Sequence, residues 1–316
     1  MKITTNITAL ICFFLCNPIS AQDYERVDAA ILLYPKTVPS VEVLSQYIER
    51  DFTTDEDKVR AMYSWLIQNV AYDPEEYEKF NYNFKNYRER NQKEEKARLK
   101  IIQRTLQKGI AVCEGYAMVL EKLCELQGIN GYLVRGDTKT NFNDIGRSFN
   151  KNHMWNVIYL DEQPYLFDPT WGAGKFRDKF IKEPSYFYYK TSPEQFIKSH
   201  YPDVFEDAYL ENSMSREAFS NKPLIIHPDL TFNLVNPEEG VLDSNAYLGH
   251  FPIQVKDVEV KNISYTFSHT FGKETFAIEK YELKNGLLSF EIPIELGASW
   301  VLIYFDEQPA LGYKIK

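Results

Sequence analysis

Residues 113–127 constrain this chain more than any other stretch. Read as a helix at ~100° per residue, they place their few polar side chains, Glu114, Glu121, Lys122 and Glu125, on one narrow stripe. Tyr116, Ala117, Val119, Leu120, Leu123, Cys124 and Leu126 occupy most of the remaining circumference. A helix apolar over most of its surface has to be enclosed, so this one is expected at the centre of its domain. Cys113 falls in the first turn, just after the flexible Gly109. Unpaired N–H groups and the positive end of the helix dipole favour a thiolate there. A buried structural cysteine is the plainer alternative, and the helix alone does not choose between them.

The chain has 316 residues, enough for one large domain or two ordinary ones. A hydrophobic fraction of 44% with 26% charged residues fits a soluble globular protein, and a net charge of −9 argues against a nucleic-acid or anionic-membrane partner. Residues 1–21 read as a cleaved secretory leader: Lys2, an apolar run from Ile7 to Leu15, then Ile19-Ser20-Ala21 before Gln22. The run is too short for a membrane span, and no later run approaches the ~20 residues that one requires. Cys16 follows Phe13-Phe14-Leu15, whereas a lipid-anchored cysteine follows small residues, so a secreted or periplasmic protein is favoured over a lipoprotein. Cleavage would leave Cys113 and Cys124. On one helix they stand ~16 Å apart, beyond disulfide reach. Two free thiols are thus expected, an unusual inventory for an exported protein.

Taken in order, residues 23–39 look irregular. Ser40 could cap a helix with Val43, Leu44, Tyr47 and Ile48 on one face. A second helix starts near Thr54, and Val59, Met62, Tyr63, Leu66, Ile67 and Val70 keep its apolar period until Asp73-Pro74. Residues 75–100 are charged and read as a solvated excursion, helical from about Gln92 to Gln107. Beyond Gly128, Gly131–Gly136 is a strand. His153–Leu160 and Gln163–Asp168 form a hairpin about Asp161-Glu162. Residues 185–223 are aromatic and turn-rich, with a short helix from Pro193 to Lys198. From Leu224 the character changes to recurrent short β-type runs, beginning at Thr231–Val235 and ending at Leu311–Ile315. These predict a second, all-β sandwich-like domain over 224–316 behind an α+β domain over 22–223.

The hairpin makes a geometric test. A two-residue turn pairs Leu160 with Gln163, and the ladder then brings Trp155 opposite Asp168. His153 shares a face with Trp155, so His153 and Asp168 lie one diagonal step apart, ~7–8 Å between backbones. A one-residue slip would put them on opposite faces. Cys113 as nucleophile, His153 as base and Asp168 as the group orienting that base would make a thiol triad. The bland readings are a hydrogen-bonded strand histidine and a strand-ending Asp-Pro turn. His200, His227, His250 and His269 show no ligand spacing and are read as structural. No zinc pattern, phosphate loop or serine elbow is present, so neither metal nor cofactor is expected.

Several stretches resemble the transglutaminase-like superfamily, in the branch that includes kyphoscoliosis peptidase. They are Asp57-Lys58-Val59-Arg60 through Asp73, Val112-Cys113-Glu114-Gly115-Tyr116-Ala117, His153-Met154-Trp155-Asn156-Val157 and Phe167-Asp168-Pro169-Thr170-Trp171. Tyr186-Phe187 and Pro193 to Pro202 continue the likeness, which covers roughly 54–223. The resemblance implies an α+β papain-like core, a central buried helix packed on an antiparallel sheet, with Cys113, His153 and Asp168 as the triad. The resemblance leaves the reaction open, since members include protein cross-linkers, peptidases, deglycosylating amidases and proteins that have lost activity; the first reading is an exported cysteine peptidase or amidase acting on a protein or peptide, a cell-wall peptide among them. Acyl transfer to an amine is the enzymatic alternative; a non-catalytic binding or scaffold protein is the other. Two features depart from the family pattern: Asp161-Glu162 stands where a glycine is common, and the charged excursion could cover the cleft. Only the Cys113 N–H can be named for an oxyanion hole, and Trp171 and Tyr116 are either cleft walls or core.

Overall fold

A computed structural model describes residues 23–77, 86–176, 178–226 and 232–316. The expected leader, part of the charged excursion, His227 and the start of the strand expected at Thr231 lie outside these residues.

Among the described residues, five α-helices come first: α1 (Tyr24–Ile31), α2 (Val41–Asp51), α3 (Asp55–Asn69), α4 (Tyr87–Lys108) and α5 (Cys113–Leu126). The segment expected to be irregular therefore holds α1. Its apolar signal is short, with only Val27 and Ile31 buried. Tertiary contacts secure it instead: Arg60 of α3 pairs with Asp28 at 2.6 Å, and Ser64 donates to the same carboxylate at 2.6 Å. Thr54 caps α3 through Asp57 N–H, as its sequence predicts. The helix ends at Asn69, before Asp73-Pro74, because Ala71–Tyr72 turns extended and pairs in parallel with Ile110–Ala111. Helix α4 starts near 87 rather than 92, capped by Asn86 through Glu89 N–H. Its sparse apolar residues hid that first turn.

Helix α5 is enclosed along most of its length, with Tyr116, Ala117, Val119, Leu120, Leu123 and Cys124 fully buried. Each such aliphatic side chain contributes ~1.5–3 kcal/mol by burial. The helices and a four-stranded antiparallel sheet share one apolar cluster. The sheet comprises β1 (Gly131–Thr138), β2 (His153–Leu160), β3 (Gln163–Phe167) and β4 (His200–Pro202), in spatial order β3-β2-β1-β4. Asn156 of β2 donates to Ala117 O of α5 at 3.0 Å, tying the sheet to the central helix.

From Leu224 the chain is sheet-rich, with a second apolar cluster of its own. One sheet contains Asn233–Asn236, His250–Lys256, Leu287–Pro293 and Tyr281–Lys284. The other contains Val241–Leu242, Gln308–Ile315, Trp300–Phe305, Ile263–Phe267 and Phe276–Ala277, and Leu224–Ile225 also pairs with Gln308–Ile315. Inward residues alternate along these strands, Phe251, Ile253 and Val255 among them. The two parts of the chain touch through the 139–147 loop. Phe142 stacks on Trp300 with ring centroids 4.4 Å apart, and Lys314 donates to Ile145 O at 2.6 Å.

Candidate active site

The site is assembled by α5 and the β2–β3 hairpin. Val112 precedes α5 in extended conformation, so Cys113 opens the helix. Gly115, two residues on, lets α5 lie close against α4: a Cβ there would stand 2.4 Å from Thr105 Oγ1. The Cys113 thiol is half-buried and free. Cys124, about three turns down on nearly the same face, is fully buried, and burial pushes its thiol pKa far above the usual value.

The hairpin has the register expected from its sequence, from Leu160↔Gln163 to Asn156↔Phe167. Asp161 and Glu162 both take positive φ, 50° and 63°, the conformation that glycine more often supplies in a two-residue turn. The departure from glycine thus leaves the turn type unchanged. The returning strand ends at Phe167, one residue early, and Asp168 becomes the cap of the short helix Pro169–Ala173. Its Oδ1 accepts Thr170 N–H at 2.8 Å and Trp171 N–H at 3.1 Å. Its Oδ2 meets His153 Nε2 at 2.7 Å. The turn role and the imidazole-orienting position, which the sequence posed as alternatives, coexist on the two oxygens of one carboxylate.

With Nε2 on Asp168, His153 has Nδ1 left for Cys113, and the thiol stands near enough to favour the charged imidazole. Burial works against an imidazolium at His153, but Asp168 and Cys113 outweigh it and raise the pKa to about 10. Burial alone would likewise raise the Asp168 carboxyl; the charge of His153 and the hydrogen bonds from His153 and His200 instead hold it far below the usual carboxylate range.

His200, read from sequence as structural, is a direct partner of this carboxylate. Its Nε2 lies 3.0 Å from the same Oδ2. Strand β4 carries it there by pairing with β1, Thr138 opposite His200. The missed signal was the Pro193–Pro202 stretch, noted as a likeness but given no chemical role. Tyr72 was also missed: it stands near enough to Cys113 for a thiolate to add to the effect of burial in raising its phenol pKa. Tyr116 is core, donating to Val70 O at 2.7 Å, whereas Trp171 stands beside the site, its ring 5.9 Å from that of His153.

His153, Asp168 and His200 have the composition of a metal site, with ligating atoms within 4.8 Å of one another. Both Nε2 atoms, however, are aimed at Oδ2 at hydrogen-bond distance, and Oδ1 is occupied by two backbone N–H groups. The trio satisfies itself, as groups that hold a proton do.

A thiol at the start of a central helix, facing an imidazole–carboxylate pair on an antiparallel sheet, defines the papain-like α+β class. Residues 42–169 match the transglutaminase-like superfamily. Human kyphoscoliosis peptidase is 29% identical over 209 residues, covering 63% of this chain and 29% of the relative. The mouse protein is 29% identical over 210 residues, covering 65% and 29%. The chain thus aligns with less than a third of these relatives' length. A solved structure described as the crystal structure of a TGase aligns at 16% identity with a TM-score of 0.30, covering 56% of this chain and 40% of that one.

Proposed function

We propose that the protein is an exported thiol hydrolase that cleaves amide bonds in proteins or peptides through Cys113, His153 and Asp168. The observation that carries this reading is the 2.7 Å contact of His153 Nε2 with Asp168 Oδ2, which leaves the other imidazole nitrogen to the thiol at the head of α5. The thiolate attacks the carbonyl carbon, and the Cys113 N–H at the positive helix end steadies the oxyanion. The imidazolium gives its proton to the leaving amine as the C–N bond breaks, and a thioester forms. Water then attacks, His153 takes its proton, and the acid departs as the proton returns to the sulfur. Export rests on the leader expected over 1–21. Among the described residues, no helix is long and apolar enough to cross a membrane.

The test is intact-mass spectrometry after incubation with a pool of peptides, cell-wall peptides included. Wild type should show an acyl adduct that decays to free enzyme, and Cys113→Ala should show none. Decay only when an amine is added would turn the reading to acyl transfer. No adduct with any substrate would leave a binding protein.

A further inference from the structure

We infer that His200 is a positioning residue: a neutral second donor on Asp168 Oδ2 that limits the carboxylate's pull on His153 and so leaves the imidazolium able to give its proton to the leaving amine. This rests on the thiol reaction proposed above.

Two imidazoles share one buried oxygen, His153 at 2.7 Å and His200 at 3.0 Å, with ring centroids 5.5 Å apart. An ionised carboxylate only accepts, so His200 carries its proton on Nε2. Its Nδ1 is then an acceptor, and Ser199 Oγ, 2.8 Å away, donates to it. That chain of hydrogen bonds fixes the tautomer. The ring is enclosed by Phe196, Trp171, Trp155 and Tyr188, with centroids 4.2, 4.5, 5.3 and 5.6 Å away. Side chains of His200 and Asp168 are fully buried. Burial lowers the His200 pKa to about 4 against the pull of Asp168, while His153 is raised to about 10. Of two similar groups on one oxygen, His153 takes the charge and His200 stays neutral. The titratable groups facing His153 are Cys113, Asp168 and His200; Tyr63 and Tyr116 face Asp168, and both phenols are held neutral by burial.

Removing the neutral donor leaves Oδ2 to His153 alone, still held in place through Oδ1. His153 should become more basic, whereas loss of mere packing would leave it unchanged or less basic. The experiment is nitrogen-detected NMR of histidine side chains in the full chain. Wild-type His200 should keep its proton on Nε2 from about pH 5 to about pH 9. In His200→Leu, His153 should titrate higher by about half a pH unit or more. In His200→Gln, whose amide N–H can reach Oδ2, the wild-type value should return. A wild-type proton on Nδ1 of His200, or a His153 titration unchanged or lowered in His200→Leu, would overturn the inference. Should His200→Leu not fold, Ser199→Ala should move His153 in the same direction by less, and the wild-type tautomer still decides. Slow iodoacetamide alkylation of wild-type Cys113 would count against the proposed thiol chemistry alone, since none of these imidazole readings depends on it.

Discussion

The α-carbon of Gly136 lies so close to Tyr201 that a Cβ added there would stand 2.2 Å from the Tyr201 carbonyl oxygen. The same Cβ would stand 2.3 Å from the Trp155 ring. Gly136 pairs with His153 on one side and Pro202 on the other, so β1 holds both histidine-bearing strands at this point.

Gly136→Ala should therefore part β4 from the sheet. Overpacking of this kind costs about 1–3 kcal/mol. Melting temperature should fall, and turnover should fall further than that loss explains, because His200 moves with β4. Stability lost with turnover intact would show that the strand spacing is immaterial to the site.

Asp168→Asn offers a second test. The amide oxygen can still accept Thr170 and Trp171 N–H, so the cap survives and the melting temperature should drop only modestly. The amide nitrogen cannot accept from His153 or His200. Turnover should fall by about four orders of magnitude, as for other triads given an amide in place of the carboxylate. Near-normal turnover would reduce Asp168 to its turn role.

Stability should depend on pH with two opposite signs. His153 is raised in the fold, so its contribution is complete below its unfolded value of ~6.5 and is lost as pH rises through about 10. His200 is lowered, so folding is penalised below ~6.5, where the unfolded chain takes up a proton that the fold refuses until about 4. Melting curves against pH should show wild type losing its advantage over His153→Gln on the alkaline side. His200→Leu should be less acid-sensitive than wild type. Differences constant across pH would contradict both assignments.

Thiol labelling separates the two cysteines. Cys113 is half-buried beside an imidazole, while Cys124 is enclosed with its pKa pushed up. Iodoacetamide should modify Cys113 at neutral pH and reach Cys124 only after unfolding, as peptide mapping can show. Equal rates would remove the basis for a special thiol.

Lys139 ties its loop to the segment that leads into the sheet-rich part. Its buried ammonium donates to Phe219 O, Lys222 O and Pro223 O at 2.8, 2.9 and 3.3 Å. Burial lowers its pKa to about 7, with Asp137 opposing. Lys139→Met would strand those carbonyls, at a cost of roughly 2 kcal/mol or more. Limited proteolysis should then cut sooner between residues 221 and 226. If residues 22–223 are a folding unit, as proposed from sequence, that fragment should keep its helical signal. Complete loss would mean that the parts fold together.

Much of this was legible in the chain because it rests on local periodicity. The apolar circumference of α5 placed Cys113, and alternation from His153 to Asp168 fixed a register that two non-glycine turn residues did not disturb. His200 was not legible: β4 is three residues long and reaches the site by pairing with a strand some sixty residues earlier, which no local pattern reports. Helix α1 escaped for a related reason, since the Asp28–Arg60 pair rather than its own pattern secures it. The charged first turn of α4 carries no apolar signal at all.

The double engagement of Asp168 bears on how such a chain could change over evolutionary time. One oxygen caps a helix and the other meets the two histidines, so substitutions there other than asparagine disturb folding and chemistry together. Cys113 holds no such joint post: its neighbour Val112 caps nothing through its side chain, and a serine or alanine would fit the space. A lineage abandoning the reaction is expected to lose the sulfur first and keep the carboxylate. An aspartate in such a relative would then mark ancestry of the fold rather than surviving catalysis.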